Sequence, residues 1–496
     1  MQSPNFETYI FGNGTISACY LNTTLGVPCG QGSVPVIGVD ARSVGDVQAT
    51  VQFASKHNLR LVIKNTGHDY LGRSTARGAL LLWTHHLKNI TYQETFTPDG
   101  APQGITYKVI TLGAGVQWHE AYDAVEAEGR FILGGLSPGG SVGAAGGWVQ
   151  GGGHSAFAAR YALGVDNVLQ FAVVTALGEY LTVNSYKNAD LFWALRGGGG
   201  GTYAVIISTT YVTHDRFPLS VVGFQLHPSL SDAGWGGYSS VSAKDMSFFY
   251  IAPNISLANA NATLDPFVKL AQNITGKAGA YSMHYDSFYP WYKATFGTDG
   301  QVGSNVELAS RLLSRDMAEN HADEVADMIL TVGGVGINFV AGGAVSKVDP
   351  ETSGLHPAWR KAVAHVYSVE SWAEGTSVSD IQQARQRLRA ALDILDGLGP
   401  GSATYYNEAS LYEKDFKKSF FGPHYNRLKS IKAKYDPDTL FIVASGSAEC
   451  NKRFPGSTVL DTNRKKAVRL GRPSLKGSST LAQQNDARWW GISLVR

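Results

Sequence analysis

The chain has 496 residues, a formal net charge of +2 and only 17% charged side chains, which argues against nucleic-acid binding and favours a small-molecule partner. Hydrophobic residues make up 44%, enough for one large discontinuous domain or several ordinary ones. The 57 glycines beside 11% aromatics fit either a strand-rich protein with many turns or a backbone pressed against a large flat ligand.

Residues 1–30 read as an N-terminal segment in which Cys19 and Cys29 are spaced to close a small disulfide loop in an oxidising compartment. Asn-x-Ser/Thr sequons begin at Asn13, Asn22, Asn89, Asn254, Asn261 and Asn273, so a secreted glycoprotein is expected. The opening MQSPNFETYIFGNGT shows no basic segment followed by an apolar run, and no signal peptide is visible in it.

A first large unit is expected over residues 31–215. It begins as strand, helix, strand: Val34 to Val39 and Leu59 to Ile63 are short apolar pieces, and Val44, Val47, Val51 and Ala54 keep helical spacing behind Ser43 as N-cap, with Asp46 in the first turn. Farther on, YKVITLGAG, FAVVTALGEYLTVN and TYAVIISTTY read as strands on tight turns, with one helix over Val116 to Glu128. A second unit over 216–400 carries helical patterns at Ser314 to Leu330 and Ser379 to Leu398. Its most membrane-like run, Met328 to Val345, holds five glycines and an asparagine, and reads as buried strands around a glycine turn. Residues 401–450 return to the first unit through the helix-like FGPHYNRLKSIKAKY and a short strand, LFIVAS. The tail, 451–496, has ten Lys/Arg against two Asp and reads as disordered.

Three glycine signals bear on chemistry. Gly197 to Gly201 follows a helical piece and precedes a strand, the reverse of the order a nicotinamide-type dinucleotide fingerprint needs. Gly139-Gly140-Ser141-Val142-Gly143 matches the serine-hydrolase nucleophile pattern but lacks an apolar strand running into it, so hydrolase is kept as the enzymatic alternative. The third signal is a pair, KNTGHDYLGRS over 64–74 and GGWVQGGGHS over 146–155, each placing a histidine among glycines. Glycine-flanked N–H groups can approach a pyrophosphate, and a neutral imidazole there can act as nucleophile toward an activated ring methyl; a turn histidine bonded within its own loop is the bland alternative.

These motifs, with DLFWALRGGGGGTYAVI and YYNEASLYEKDF, resemble the FAD-linked oxidases of the vanillyl-alcohol oxidase superfamily, and within it the berberine-bridge-enzyme-like fungal oxidases, over about Cys19 to Gly446. The resemblance implies an α+β fold: a two-part PCMH-type FAD-binding domain made of residues 31–215 and 401–450, and a substrate domain, 216–400, with an antiparallel sheet flanked by helices. It implies FAD bonded through its 8α carbon to His68, with Gly67, Gly72, Arg73 and Ser74 on one wall. Gly146, Gly147, Gly152, Gly153, His154 and Ser155 form the other wall, and Val205 lies near the adenosine. Tyr70, Tyr161, Tyr405 and Asn407 are implied to face the substrate, and a tyrosine serves as base only if its pKa falls well below about 10.

The implied reaction is hydride transfer from an alcohol, sugar or secondary metabolite to the flavin, with oxygen as acceptor and hydrogen peroxide as product. Many relatives add a cysteinyl bond to the flavin from a position that here is Gly139, so a single link is expected. After Leu440 the chain departs from the family's ordered ending, keeping only the turn at Ser445 to Ser447. A flavin- or carbohydrate-binding protein without turnover is the non-enzymatic alternative. No metal ligands are assigned, and no membrane or nucleic-acid partner is expected.

Overall fold

The computed structural model describes residues 4–443 and Leu494–Val495, except 224–233, 243–245, 276–279, 298–303, 400 and 402. Cys19 and Cys29 form the expected disulfide. The helix behind Ser43 runs Val44–Lys56, capped reciprocally: Asp46 N–H donates to Ser43 Oγ at 3.2 Å and Ser43 N–H to the Asp46 carboxylate at 3.0 Å. Its flanking strands, Ile37–Asp40 and Leu61–Lys64, share one sheet but do not touch, because Leu80–Trp83 lies between them, parallel to both. Leu494–Val495, within the expected disordered tail, pairs antiparallel with the free edge of Ile37–Asp40; the rest of the tail, with Cys450 and the Ser445 to Ser447 turn, lies outside the described residues.

A five-stranded antiparallel sheet follows, in the order Tyr180–Asn184, Val168–Thr175, Ala204–Val212, Tyr107–Gly113, Ile90–Phe96. The helix Trp118–Ala127 packs Trp118, Ala121, Tyr122 and Val125 inward, four positions on one helical stripe. The larger, seven-stranded antiparallel sheet runs Ser282–Tyr285, Leu219–Val222, Met246–Pro253, Gly236–Ser242, Gly334–Phe339, Ala362–Trp372, Asn305–Ser314. Helices Leu257–Thr275, Ala322–Val332 and Val378–Leu395 accompany it. The mixture of helices with antiparallel sheets is the expected α+β class.

Three sequence expectations are corrected. The pattern Ser314 to Leu330 splits into Arg315–Asn320 and Ala322–Val332 at His321, whose φ of −134° is not helical. Met328 to Val345 is not two strands: its first residues end a helix, Gly333 stops it at φ 89°, and only Gly334–Phe339 is a strand. Among the described residues no helix is long and apolar enough to cross a membrane. Lastly, Leu440–Val443 is buried but forms no strand. The Asp436 carboxylate accepts the N–H groups of Leu440 and Phe441 at 2.7 and 2.9 Å, leaving neither for a strand neighbour.

The carboxy-terminal helix Tyr425–Tyr435 buries Tyr425, Leu428 and Ile431 in the same core as Phe192, Val205 and Tyr211 of the first half. Nearby His356 is held neutral by geometry: Nδ1 accepts Ala358 N–H and Nε2 donates to the Lys418 carbonyl, each at 3.0 Å. Burial lowers its pKa from 6.5 to about 4, and burial does the same at His214. The unfolded chain therefore takes up these protons first, so their contribution to stability is complete above about pH 6.5 and is lost as pH falls toward about 4. The expected result is an unfolding free energy that drops by about 1.4 kcal/mol per pH unit for each such proton. Urea titrations across that window check it, and His356→Gln should flatten the slope by about one proton.

Candidate active site

A cavity of about 230 Å³ opens where the two glycine motifs meet. The loop after Leu61–Lys64 supplies Gly67, His68, Tyr70, Arg73 and Ser74; the loop and short helix Gly147–Gln150 supply Gly146, Gly147 and His154; the return segment supplies Tyr405 and Asn407. All ten were anticipated from sequence. The turn between the helix Ala189–Leu195 and the strand Ala204–Val212 adds Gly200 and Gly201. A Cβ on Gly200 would lie 3.0 Å from Gly147 Cα, so the two glycine runs pack backbone to backbone.

Six anticipated residues do not line the cavity. Gly72 faces Phe6, and Gly152 and Gly153 pack against Leu355 and Trp148, so they shape the walls from behind. Ser155 is fully buried, and its Oγ accepts Phe157 N–H in the next turn. Tyr161 sits in an aromatic cluster with Phe131, Phe217 and His214, its ring 4.4 Å from that of His214. Val205 lies between the lining residues Ala204 and Ile206, and strand alternation turns it to the opposite face. Among the lining residues not anticipated are Asn65, Asp69, Ser137, Trp148, Gln150 and Glu408. Asp69, Trp148 and Glu408 each adjoin an anticipated residue, and Asn65 and Gln150 lie inside the two glycine motifs, the signal that could have found them.

His68 is placed as a nucleophile. Its Nε2 lies 3.0 Å from Ser141 Oγ, and that hydroxyl can donate its single hydrogen to the Pro138 carbonyl at 3.2 Å. With that hydrogen on the Pro138 carbonyl, Nε2 carries the imidazole proton and Nδ1 the lone pair, the tautomer that meets both contacts at once. Burial lowers the His68 pKa to about 3, which keeps the ring neutral.

Arg73 is locked from several sides. Its Nε donates to Asp69 at 3.0 Å, its Nη2 to Asn407 Oδ1 at 3.0 Å, and its guanidinium stacks 4.6 Å from the Tyr406 ring centre. The Asp69 carboxylate also accepts the N–H groups of Leu71, Arg73 and Ser74. Asn407 Nδ2 in turn donates to the Gly147 and Trp148 carbonyls, each at 3.1 Å, and to Tyr405 Oη at 2.8 Å. One asparagine thus ties the return segment to both glycine motifs.

Five lining residues bury a polar atom without a partner: Asn65 Nδ2, Arg73 Nη1, Ser137 Oγ, Gln150 Oε1 and His154 Nδ1. Such atoms are costly unless a bound group completes them. They fit a large polar cofactor with donors and acceptors along its length.

At the far wall, Glu408 lies between two histidines, 3.0 Å from His154 Nε2 and 3.4 Å from His365 Nδ1. Burial alone would raise the Glu408 pKa, but His154 and His365 hold it below its ordinary value. Burial lowers His365 to about 4. Tyr405, expected to face the substrate, is pushed well above 10 by burial and then by Glu408. Burial also raises Tyr161. Both shifts run opposite to the lowering a tyrosine base needs.

Comparison with known proteins agrees with this geometry. The family described as FAD binding domain matches residues 35–184, and the family described as Berberine and berberine like matches 404–446. An FAD-linked oxidoreductase of Arthroderma benhamiae is 36% identical over 90% of this chain and 82% of its own length. The crystal structure of the VAO-type flavoprotein MtVAO615 from Myceliophthora thermophila superposes with a TM-score of 0.77 at 31% identity, covering 85% of this chain and 81% of that one. The glucooligosaccharide oxidase of Acremonium strictum, which carries a 6-S-cysteinyl, 8α-N1-histidyl FAD, shares the fold with a TM-score of 0.68 at 19% identity, over 84% of this chain and 92% of that one. A cavity floored by paired glycine motifs, with a neutral histidine at its edge and relatives matched over most of their length, makes this chain an FAD-linked oxidoreductase of the VAO and berberine-bridge-like family.

Proposed function

We propose that the chain is a secreted oxidase whose FAD is attached once, through His68 Nδ1, and whose partners are a small-molecule alcohol, sugar or secondary metabolite and oxygen. The observation that carries this reading is the set of five buried, unpaired polar atoms around a cavity edged by the neutral imidazole of His68. When bound, the flavin supplies the hydride acceptor. Arg73 and Gln150 are left with polar atoms for the cofactor, and the Ser141 hydroxyl meets the His68 imidazole. His154, Tyr405, Asn407 and Glu408 orient the substrate hydroxyl, and its proton leaves into this cluster.

A single link is supported by Gly139, which stands where a second, cysteinyl bond would start, and by the pairing of Cys19 with Cys29. Secretion is supported by that disulfide and by the exposure of all six sequon asparagines.

The test is an anaerobic screen of sugars, polyols and phenolic alcohols for bleaching of the flavin absorbance, followed by readmission of air. A substrate should bleach the yellow protein, and oxygen should restore the colour with one hydrogen peroxide formed per substrate oxidised. A yellow protein that no reductant of these classes bleaches is a flavin binder, and a colourless one overturns the reading altogether.

A further inference from the structure

We propose that His154, His365 and Glu408 form a binding site for one divalent transition-metal cation of the zinc class, open toward the cavity beside Tyr405 and Asn407. It rests on the proposed function in one respect: the cation's open positions face the place assigned to the substrate hydroxyl.

The ligand atoms of the three residues all lie within 4.8 Å of one another. Three ligands about 2.1 Å from one ion stand about 3.4 Å apart, so little movement completes the set. Two imidazoles and one carboxylate with a free position toward a cleft are the donors of open, catalytic zinc sites, and they suit borderline cations over calcium or magnesium.

Each ligand comes from an anchored element. His365 is on the strand Ala362–Trp372, which is paired on both sides by Gly334–Phe339 and Asn305–Ser314. Glu408 closes the short helical turn Tyr406–Glu408, and its carbonyl accepts the Ser310 hydroxyl at 2.7 Å. His154 follows the helix Gly147–Gln150, with its ring 4.9 Å from that of Tyr405.

A second observation points to a missing ligand. His365 is fully buried, yet neither ring nitrogen makes a hydrogen bond, its contact with Glu408 being long and poorly aligned. An unpartnered imidazole at 0% exposure, aimed at a carboxylate and a second imidazole, is what a cation would satisfy. His154 and Glu408 also line the cavity, so the remaining coordination positions face it.

The experiment uses the full-length, flavin-loaded protein. It is stripped with a chelator, dialysed against zinc or cobalt chloride, and assayed for metal and flavin separately. The wild type should retain one metal per flavin, while His365→Asn and Glu408→Gln fall to about a tenth with their flavin absorbance kept. X-ray absorption at the zinc edge of the wild type should show imidazole scattering from two histidines, which decides the matter even if both variants fail to fold. Yellow wild-type protein without stoichiometric metal, full retention in both folded variants, or a zinc shell lacking imidazole each overturns the site. In the first case the cluster is a histidine–carboxylate–histidine hydrogen-bond relay and the oxidase reading stands; colourless protein overturns the oxidase reading instead.

Discussion

Acid-precipitated wild-type protein should stay yellow, whereas His68→Ala protein should bind flavin when folded and lose essentially all of it to the supernatant on precipitation. Denaturation removes every contact except a covalent one, so the pellet reports the bond alone. His68 is the candidate because it lines the cavity at the glycine motif, and a chain from Nε2 through Ser141 to the Pro138 carbonyl leaves Nδ1 free to carry the lone pair. Burial that lowers its pKa to about 3 keeps that lone pair free at neutral pH. Retention in the folded variant is expected because nanomolar non-covalent binding already supplies about 12 kcal/mol, and Arg73, Asn65, Ser137 and Gln150 keep their unpaired atoms. Turnover should fall more than occupancy, since the bond fixes ring orientation. Flavin that washes out of the denatured wild type, or a flavinylated peptide that does not contain His68, would sink the assignment.

Lys432→Met should cost about 3–5 kcal/mol of stability, the cost of breaking a buried ion pair from one side. Lys432 is 3% exposed and its ammonium donates to the carbonyls of Thr202 and Phe441, at 2.5 and 2.7 Å, and to the equally buried Asp436 carboxylate. Methionine fills much the same volume but leaves Asp436 charged and half-partnered, and strands two carbonyls. Thr202 directly follows the lining residues Gly200 and Gly201, so the ammonium braces the glycine turn against the carboxy-terminal return. Urea unfolding of the variant measures the loss. The double variant Lys432→Met with Asp436→Leu should be less destabilised than the single one, because the orphaned charge leaves with its partner. A single-variant loss below about 1 kcal/mol would show that the pair is not needed.

Local rules were enough for much of the scaffold. Ser43 and Asp46 announced a helix start because a capping box is complete within four residues, and the strands around Val109, Val173 and Ile206 declared themselves by β-branched runs. The disulfide needed only a short loop. Where a local pattern was ambiguous, the surroundings chose. Met328 to Val345 has the apolar content of strands, but Val325 and Ile329 bury one helical stripe before Gly333 stops it. LFIVAS reads as a strand until the Asp436 side chain takes its N–H groups.

The site divides in the same way. The histidines among glycines, His68 and His154, were legible from consecutive positions, while Arg73, Gly146 and Gly147 were named through the family resemblance that the same motifs carry. Which neighbours of those residues face the cavity was not legible: Val205, Tyr161 and Ser155 share motifs with true lining residues, yet strand alternation, an aromatic cluster and a turn hydrogen bond turn them away. Through the family resemblance that its motifs carry, the sequence by itself determined the α+β class and the flavin family, and it singled out His68 as the candidate to hold the cofactor. Only the tertiary structure decided that Ser141 meets the His68 imidazole and that Lys432 braces the turn at Thr202. It alone brought His154, His365 and Glu408 together, since those contacts join residues far apart in the chain and arise from packing, which no local spacing encodes.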